Sequence, residues 1–204
     1  MLQKICILTA LMRLVHPSAL VERGAAVGPG TRVWQFSVIK EGARVGRDCN
    51  IGAHCFVEEG ATVGDGVTVK NDVALWTGVT LEDGVFVGPN AVFTNDLFPR
   101  SRRLPEARHR YSKTALLRAT RVGRGATIGA GAMIRAGASI GRFAMVGLGA
   151  VVLGDVPAHA MVVGNPARAR GWVCECGLAL PKALACAGCG KKYRRRDGAL
   201  ARSS

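Results

Sequence analysis

Four cysteines close to the end of the chain are the clearest candidates for metal chemistry. Cys174, Cys176, Cys186 and Cys189 follow the spacing C-x-C-x9-C-x2-C. Two close pairs of thiols on a short segment are typical of a tetrahedral zinc site, although the first pair is one residue tighter than the common C-x2-C spacing. We predict a structural Zn²⁺ whose four ligands leave no position open for catalysis. Unpaired thiols and a redox pair are the alternatives.

A second group of candidate residues lies in the stretch 94–120, which reads TNDLFPRSRRLPEARHRYSKTALLRAT and is rich in arginine. This stretch interrupts an otherwise regular sequence pattern. Binding residues are often placed on irregular segments that a rigid scaffold positions. We therefore expect the stretch, called the excursion below, to contribute to a ligand site.

The regular pattern on either side of the excursion is a hexapeptide repeat. Aliphatic or aromatic residues recur every six positions from Val15 to Phe93 and again from Val122 to Val152, and a mostly small residue follows each of them four positions later. A period of six fits no helix but is a multiple of the strand period of two. The pattern predicts an all-β chain folded as a parallel β-helix, in which three six-residue units close one triangular coil. Residues eighteen apart, such as Val33 and Ile51, should then stack, a register that a β-sandwich would not hold.

The register also predicts the organisation of the chain. Residues 14–172 form the β-helix of about seven coils, with the excursion at 94–120, and residues 173–204 form the cysteine-rich tail with its basic terminus. Residues 1–13 are expected to cover the open end of the helix, because an uncapped coil exposes unpaired strand groups. This lead-in only faintly resembles a signal peptide, and Met12 is an alternative start.

The composition restricts the kinds of partner. Apolar residues make up 49% of the chain and aromatic residues only 5%, which suits a narrow core of small side chains. The formal charge of +14 is compatible with nucleic acid, a membrane surface or small anionic substrates. No helix-turn-helix or aromatic-and-basic platform for nucleic acid is present, and no segment is long enough to span a membrane. We expect small phosphorylated ligands, no nucleic-acid partner, no membrane insertion and a cytoplasmic location.

Three motifs resemble one group of enzymes within the left-handed β-helix acyltransferases. HPSALVERGAAVGPGTRVWQF, VTLEDGVFVGPNAVFTNDLFPRS and GAVVLGDVPAHAMVVGNPARARGW are similar to the nucleotide-sugar 3-N-acetyltransferases of bacterial surface polysaccharide synthesis. These enzymes act on UDP- or dTDP-linked 3-amino sugars. The resemblance implies a left-handed β-helix, acetyl transfer from acetyl-CoA to a sugar amine, and a homotrimer with its active sites between neighbouring prisms.

The resemblance also implies roles for individual residues. Asn71 matches a position where the family carries an asparagine near the sugar amine, and we predict it as the catalytic residue. The predicted substrate-binding residues are Trp34, Gln35, Asn95, Asp96, Arg100 and Ser101, of which Asn95 and Asp96 contact the sugar and Arg100 and Ser101 the diphosphate. Gln35 is a departure, since the family often has WHF where this chain has WQF. The predicted cofactor-binding residues are Ala132 and Ala150, whose backbone N–H groups polarise the thioester, and Asn165 and Arg168, which meet the adenosine end of CoA.

The sequence offers no strong general base. His16, His54, His109 and His159 are the four histidines, and none has a pattern that predicts proton transfer. We expect the reaction to depend on the positioning of a neutral amine beside the thioester. A β-helical carbonic anhydrase would need three histidines on a catalytic zinc, and its closely spaced pair is missing. A 4-amino sugar or a hydroxyl acceptor, and a scaffold without catalytic activity, are the remaining alternatives.

Overall fold

The computed structural model describes residues 14–112 and 117–203. Most of its strands are only two residues long, and they stack into three parallel sheets that form the faces of a prism. Face 1 consists of β1 (Leu14–Val15), β4 (Arg32–Val33), β7 (Asn50–Ile51), β10 (Thr68–Val69), β13 (Phe86–Val87), β16 (Thr127–Ile128), β19 (Met145–Val146) and β21 (Ala160–Val163). Face 2 consists of β2 (Leu20–Val21), β5 (Val38–Ile39), β8 (Phe56–Val57), β11 (Ala74–Leu75), β14 (Val92–Phe93), β17 (Met133–Ile134) and β20 (Val151–Val152). Face 3 consists of β3 (Ala26–Val27), β6 (Arg44–Val45), β9 (Thr62–Val63), β12 (Val79–Leu81), β15 (Thr120–Val122) and β18 (Ser139–Ile140).

The predicted all-β parallel β-helix and its eighteen-residue register are confirmed. Val33 pairs with Ile51, Ile51 with Val69, and Val69 with Val87. Faces 1, 2 and 3 have eight, seven and six stacked parallel strands, so the described chain forms the predicted number of about seven coils. The predicted lead-in, residues 1–13, lies outside the described residues.

The interior of the prism is filled by the side chains of two positions of the hexapeptide repeat. The large residue of most units and the small residue four places later are almost completely buried, as Ile51 and Cys55 illustrate at 0% and 2% exposure. The polar residues at small positions are satisfied inside the prism: the Thr31 hydroxyl donates to the carbonyl of Gly46 at 2.7 Å, and that of Ser37 to the carbonyl of Gly52 at 2.6 Å. Burial raises the pKa of Cys55 to about 11, so this thiol is unreactive at neutral pH.

Close stacking of the coils explains the glycine that often follows the large residue. A Cβ added to Gly28 would lie 2.7 Å from the backbone of Gly46 in the next coil. No side chain fits in that space, so the corner needs glycine.

The excursion leaves the prism after β14 and returns at β15. Leu81 pairs with Val63 on one side at the usual separation of 18 residues, and with Val122 on the other at a separation of 41. The excursion contains a 3₁₀ helix, Pro105–Ser112, and its two ends are joined by a bridge between Asp96 and Leu117. Among the described residues, no helix combines the length and the apolar character needed to cross a membrane.

Beyond the last coil the chain forms two hairpins. Strand β22 (Arg168–Trp172) returns antiparallel to β21 on face 1, and β23 (Tyr193–Arg196) pairs with β24 (Ala199–Arg202). The cysteine-rich segment and the second hairpin share a small core formed by Cys174, Cys186, Tyr193 and Leu200. Trp172 packs against both this core and the core of the prism. The basic residues near the end of the chain lie partly in the hairpin of β23 and β24.

Candidate active site and cysteine cluster

The predicted site residues are divided between two edges of the prism. Edge 1/2, the turns that lead from face 1 to face 2, carries Trp34, Gln35, Asn71, Ala132 and Ala150. Edge 2/3, the turns that lead from face 2 to face 3, carries the excursion and with it Asn95, Asp96, Arg100 and Ser101. Face 2 lies between the two edges. One copy of the chain therefore does not bring Asn71 together with the predicted substrate residues of the excursion.

Asn71 lies at an exposed corner of edge 1/2, and its side chain also has a structural contact. Its Oδ1 accepts a hydrogen bond from the backbone N–H of Ala53 in the preceding coil at 3.1 Å. Asp65 makes the equivalent contact on another edge, where its Oδ1 accepts from the backbone N–H of Arg47 at 2.8 Å. The oxygen of Asn71 thus stabilises a turn.

Trp34 and Gln35 precede Asn71 on the same edge by two coils, which corresponds to about 10 Å at the usual strand spacing. The indole of Trp34 is 43% exposed and its Nε1 donates to Oδ1 of Asn50 at 2.9 Å. Its ring lines a cavity of about 300 Å³ on face 1, together with Leu14, Val15, His16, Arg32 and Val33.

His54 also lies on edge 1/2, one coil before Asn71. Its ring packs against Phe36 with centroids 5.2 Å apart, and its backbone N–H donates to the carbonyl of Gln35 at 3.1 Å. No sequence pattern predicted proton transfer by His54. Its nearness to Asn71 follows from the stacking of the coils.

The backbone amides of Ala132 and Ala150 have hydrogen-bond partners in their own turns. The N–H of Ala132 donates to the carbonyl of Gly129 at 3.2 Å, and that of Ala150 to the carbonyl of Gly147 at 3.3 Å. Both amides are therefore engaged in their own turns. Contact between this edge and the cofactor stays a prediction.

Asn165 and Arg168 lie at the exposed tip of the β21–β22 hairpin, near the last turn of edge 1/2. Val151 holds this tip with two backbone hydrogen bonds, donating to the carbonyl of Gly164 at 3.0 Å and accepting from the N–H of Ala167 at 2.8 Å. The peptide bond between Asn165 and Pro166 is cis. The tip is thus tied to β20, and the side chains of Asn165 and Arg168 are exposed.

The excursion is organised around Tyr111. The Tyr111 hydroxyl accepts from the backbone N–H of Arg100 at 2.6 Å and donates to Oδ2 of Asp96 at 3.3 Å. The guanidinium groups of Arg102 and Arg110 lie over its ring at 5.4 and 5.7 Å from the centroid. Asp96 therefore supports the fold of the excursion, and the predicted contact of its carboxylate with a sugar competes with this role.

Asn95 and Ser101 also have contacts within the excursion. The carbonyl of Asn95 accepts from the backbone N–H of Arg118 at 2.9 Å, and the hydroxyl of Ser101 accepts from the N–H of Arg103 at 3.3 Å. The side chains of Arg100 and Ser101 lie on the exposed surface of the excursion.

The four predicted metal ligands do converge. The sulfur atoms of Cys174, Cys176, Cys186 and Cys189 all lie within 4.8 Å of one another. The closest pairs are Cys174 with Cys189 at 3.4 Å and Cys176 with Cys186 at 3.5 Å. Tetrahedral zinc at 2.3 Å from each sulfur requires separations of about 3.8 Å. The cluster therefore has the donor set and the size that zinc takes.

The surroundings of Cys174 favour a thiolate. The Tyr193 hydroxyl accepts from the backbone N–H of Glu175 at 3.0 Å, so its proton is free to be donated to the Cys174 sulfur at 3.1 Å. Although burial opposes it, the hydrogen bonds from the Cys176 N–H and from Tyr193 lower the pKa of Cys174 to about 6. Thiolates, not thiols, bind metals.

His159 joins the cysteine-rich segment to the end of the prism. It is 1% exposed, and its Nδ1 donates to the carbonyl of Val173 at 3.0 Å. Its ring packs between Phe143 of the prism and Tyr193, at centroid distances of 5.2 and 5.1 Å. The cysteine cluster is thus connected to the β-helix through two aromatic contacts.

Comparisons with known proteins agree with this architecture. The family model described as hexapeptide repeat of succinyl-transferase matches residues 42–77 and 119–153. A dTDP-3-amino-3,6-dideoxy-alpha-D-galactopyranose 3-N-acetyltransferase from Aneurinibacillus thermoaerophilus is 46% identical over 52 residues, which are 24% of this chain and 27% of that enzyme.

Two solved structures illustrate the similarity of the fold. The acetyltransferase domain of PglB from Neisseria gonorrhoeae FA1090, in complex with acetyl coenzyme A, is 25% identical with a TM-score of 0.52, and the alignment covers 79% of this chain and 58% of PglB. The hexapeptide-repeat acetyltransferase VCA0836 from Vibrio cholerae O1 biovar eltor is 24% identical with a TM-score of 0.52, and the alignment covers 64% of this chain and 70% of VCA0836. The chain thus spans just over half the length of that PglB domain. Its repeats and its fold are similar to those of hexapeptide-repeat acetyltransferases.

Proposed function

We propose that the chain transfers the acetyl group of acetyl-CoA to the amine of a UDP- or dTDP-linked 3-amino sugar. The observation that carries the proposal is the placement of the candidate residues on the two edges that flank face 2. The local identity with a dTDP-3-amino-sugar acetyltransferase supports this acceptor, and the similarity to PglB supports acetyl-CoA as the donor. A cytoplasmic location stays a prediction.

A trimer would complete this site. Every outward residue of the face 2 strands is apolar: Leu20, Val38, Phe56, Ala74, Val92, Met133 and Val151. Leu20, Val92 and Met133 are 54%, 44% and 52% exposed in the single chain. Face 3, by contrast, carries Arg44, Thr62, Thr80, Arg121 and Ser139 outward. A continuous apolar face of this kind favours burial against another copy.

Contact through face 2 also explains how the two edges meet. A contact between different patches of identical copies closes into a ring when the rotation is threefold. In such a ring, edge 1/2 of one copy adjoins edge 2/3 of its neighbour. The excursion of one copy would then hold the nucleotide sugar next to Asn71 and the β21–β22 hairpin of the other copy.

The chemistry assigned to this site is direct acyl transfer. The amine nitrogen attacks the thioester carbonyl, the C–S bond breaks, and the proton released by nitrogen leaves with the CoA thiol. Asn71 is an amide and cannot act as a base, so its role is to hold the neutral amine by a hydrogen bond. Positioning of two bound reactants can supply about 7–11 kcal/mol of the barrier reduction.

The cysteine cluster is proposed to hold one structural Zn²⁺. All four sulfurs serve as ligands, and Tyr193 supports Cys174 from outside the ligand set. A site with four protein ligands has no open position for a substrate. The metal therefore stabilises the end of the chain and takes no part in acetyl transfer.

The proposal is tested by incubating the purified chain with acetyl-CoA and a panel of UDP- and dTDP-linked 3-amino and 4-amino sugars. We expect a mass increase of one acetyl group on a 3-amino sugar and release of an equal amount of CoA thiol. Asn71→Ala should reduce this turnover strongly. A chain that binds no acetyl-CoA and acetylates none of the sugars would instead be a scaffold.

A further inference from the structure

A cleft lies where the excursion returns to edge 2/3. It has a volume of about 270 Å³, and its wall is formed by Leu97 of the excursion, Arg118, Arg135, Gly137 and Leu153. The excursion approaches the prism closely here, since a Cβ added to Gly137 would lie 3.3 Å from the Cβ of Arg118. The backbone N–H of Arg118 is fixed by the carbonyl of Asn95 at 2.9 Å.

The charges in this cleft are uncompensated. Arg118 and Arg135 are its two charged wall residues, and no carboxylate lines it. Nη1 of Arg135 donates to the carbonyl of Leu153 at 3.1 Å, which holds the guanidinium at the wall. Within residues 14–112 and 117–203, neither arginine forms an ion pair, whereas Arg47 pairs with Asp65 and Arg121 with Glu82.

Asp96 of the excursion and Asp155 of the prism have hydrogen-bond partners outside the cleft. Asp96 accepts from the N–H of Phe98 at 2.8 Å and from Tyr111, and Asp155 accepts from the N–H of Ser139 at 2.8 Å. Two arginines line this cleft, and the guanidinium of Arg135 is held there by Leu153. Guanidinium groups bind phosphate oxygens with two parallel N–H donors.

We propose that this cleft, formed by Arg118 and Arg135, binds the diphosphate of one of the two substrates. Ligand pockets usually have volumes of about 300–1,000 Å³, so the cleft accommodates only the diphosphate portion of a larger molecule. The inference rests on the proposed function, which supplies two diphosphates: that of the nucleotide sugar and that of CoA. If the diphosphate is that of the nucleotide sugar, the contact predicted for Arg100, at the surface of the excursion, moves to the base of the excursion.

The test is isothermal titration of the full chain with UDP, dTDP, CoA and 3′-dephospho-CoA as probes. The variants are Arg118→Ala, Arg135→Ala, the double substitution, and Arg118→Lys, which keeps the charge but loses the paired donors. Arg44→Ala is the matched control, because Arg44 is an exposed arginine on face 3 that forms no ion pair with any residue the structure describes. Thermal melting checks that each variant is folded.

We expect each alanine substitution to weaken one diphosphate class about 10-fold and the double substitution to weaken it further, with Arg118→Lys between the wild type and Arg118→Ala. Weaker binding of UDP and dTDP with unchanged binding of CoA assigns the cleft to the nucleotide sugar. Weaker CoA and dephospho-CoA with unchanged UDP and dTDP assigns it to the cofactor. Both outcomes support the proposal.

Four outcomes would overturn it. The first is unchanged affinities in the double variant, and the second is failure of all four probes to bind the wild type. The third is weaker binding of CoA without weaker binding of dephospho-CoA, and the fourth is an equal loss of affinity in Arg44→Ala. The third outcome would mean that the cleft takes a single phosphate, and the fourth would mean a long-range effect of charge. Acetyl transfer is measured separately: arginine-dependent binding without turnover would refute the proposed function but leave the cleft intact.

Discussion

Removal of the metal should unfold the cysteine-rich segment and leave the β-helix folded. The segment has few apolar contacts of its own, with Tyr193 and Leu200 as its large buried side chains. Burial of two such side chains contributes about 3–6 kcal/mol. A structural zinc contributes about 10–16 kcal/mol in small zinc domains. The metal is therefore expected to dominate the stability of residues 173–203, whereas the prism has its own continuous core.

Hydrogen exchange measured by mass spectrometry separates these two regions. The purified chain should contain one zinc per copy, and a chelator should remove amide protection from residues 173–203 while β1–β20 stay protected. Trp172 contacts both cores, so its fluorescence should shift to longer wavelength when the chelator is added. The measurement uses a Trp34→Phe, Trp76→Phe background, in which Trp172 is the remaining tryptophan.

A matched pair of variants controls for the loss of a cysteine. Cys174→Ser removes a ligand and should reproduce the effect of the chelator. Cys49→Ala changes an inward position of the repeat that alanine commonly fills, so zinc content and protection should remain. Absence of metal from the full-length chain after reconstitution would refute the reasoning. So would persistent protection of residues 173–203 once zinc has been removed.

Three further predictions concern the active site, the subunit contact and the end of the prism. Asn71→Ala should lower turnover at least about 10-fold while costing only about 1 kcal/mol of unfolding free energy, the contribution of one hydrogen bond. Asp65→Ala, which loses the equivalent turn contact, should leave kcat unchanged, and equal losses of activity would remove Asn71 from the site. Met133→Glu should convert the trimer to monomers in sedimentation equilibrium, whereas Thr62→Glu on face 3 should not; a trimer that survives Met133→Glu would rule out face 2 as the contact. Burial lowers the pKa of His159 below its ordinary value of about 6.5. The contribution of the neutral imidazole to folding stability is therefore fully present above pH 6.5 and is lost as the pH falls towards the lowered pKa. The melting temperature should therefore drop less between pH 7 and 5.5 in His159→Asn than in the wild type, and identical pH profiles would contradict this.

The division between sequence and structure is clearest for Asn71 and Asn95. Both were expected to face outward, because each follows an inward residue of the repeat by two positions. Their placement on different edges depends on which face each unit joins. The resemblance grouped them in one site, and the structure shows that a single copy cannot do so.

The cleft and the aromatic contacts depended on segments outside the repeat. Arg118 lies beside Arg135 because the excursion returns to edge 2/3 through backbone bonds of Arg118 and Thr120. His159 meets Tyr193 because the cysteine-rich segment docks on the last coil. No periodic pattern in the sequence predicts either contact.

The sequence by itself determined the parallel β-helix, its buried residues and the grouping of four cysteines. These features are local and periodic, since one six-residue unit dictates one strand and one corner wherever it occurs. Only the tertiary structure decided that the amides of Ala132 and Ala150 are committed to turns, that the candidate site is divided between two edges, and that the cysteine cluster is joined to the prism. The physical reason is that these features depend on hydrogen bonds and packing between segments whose meeting point no local spacing specifies.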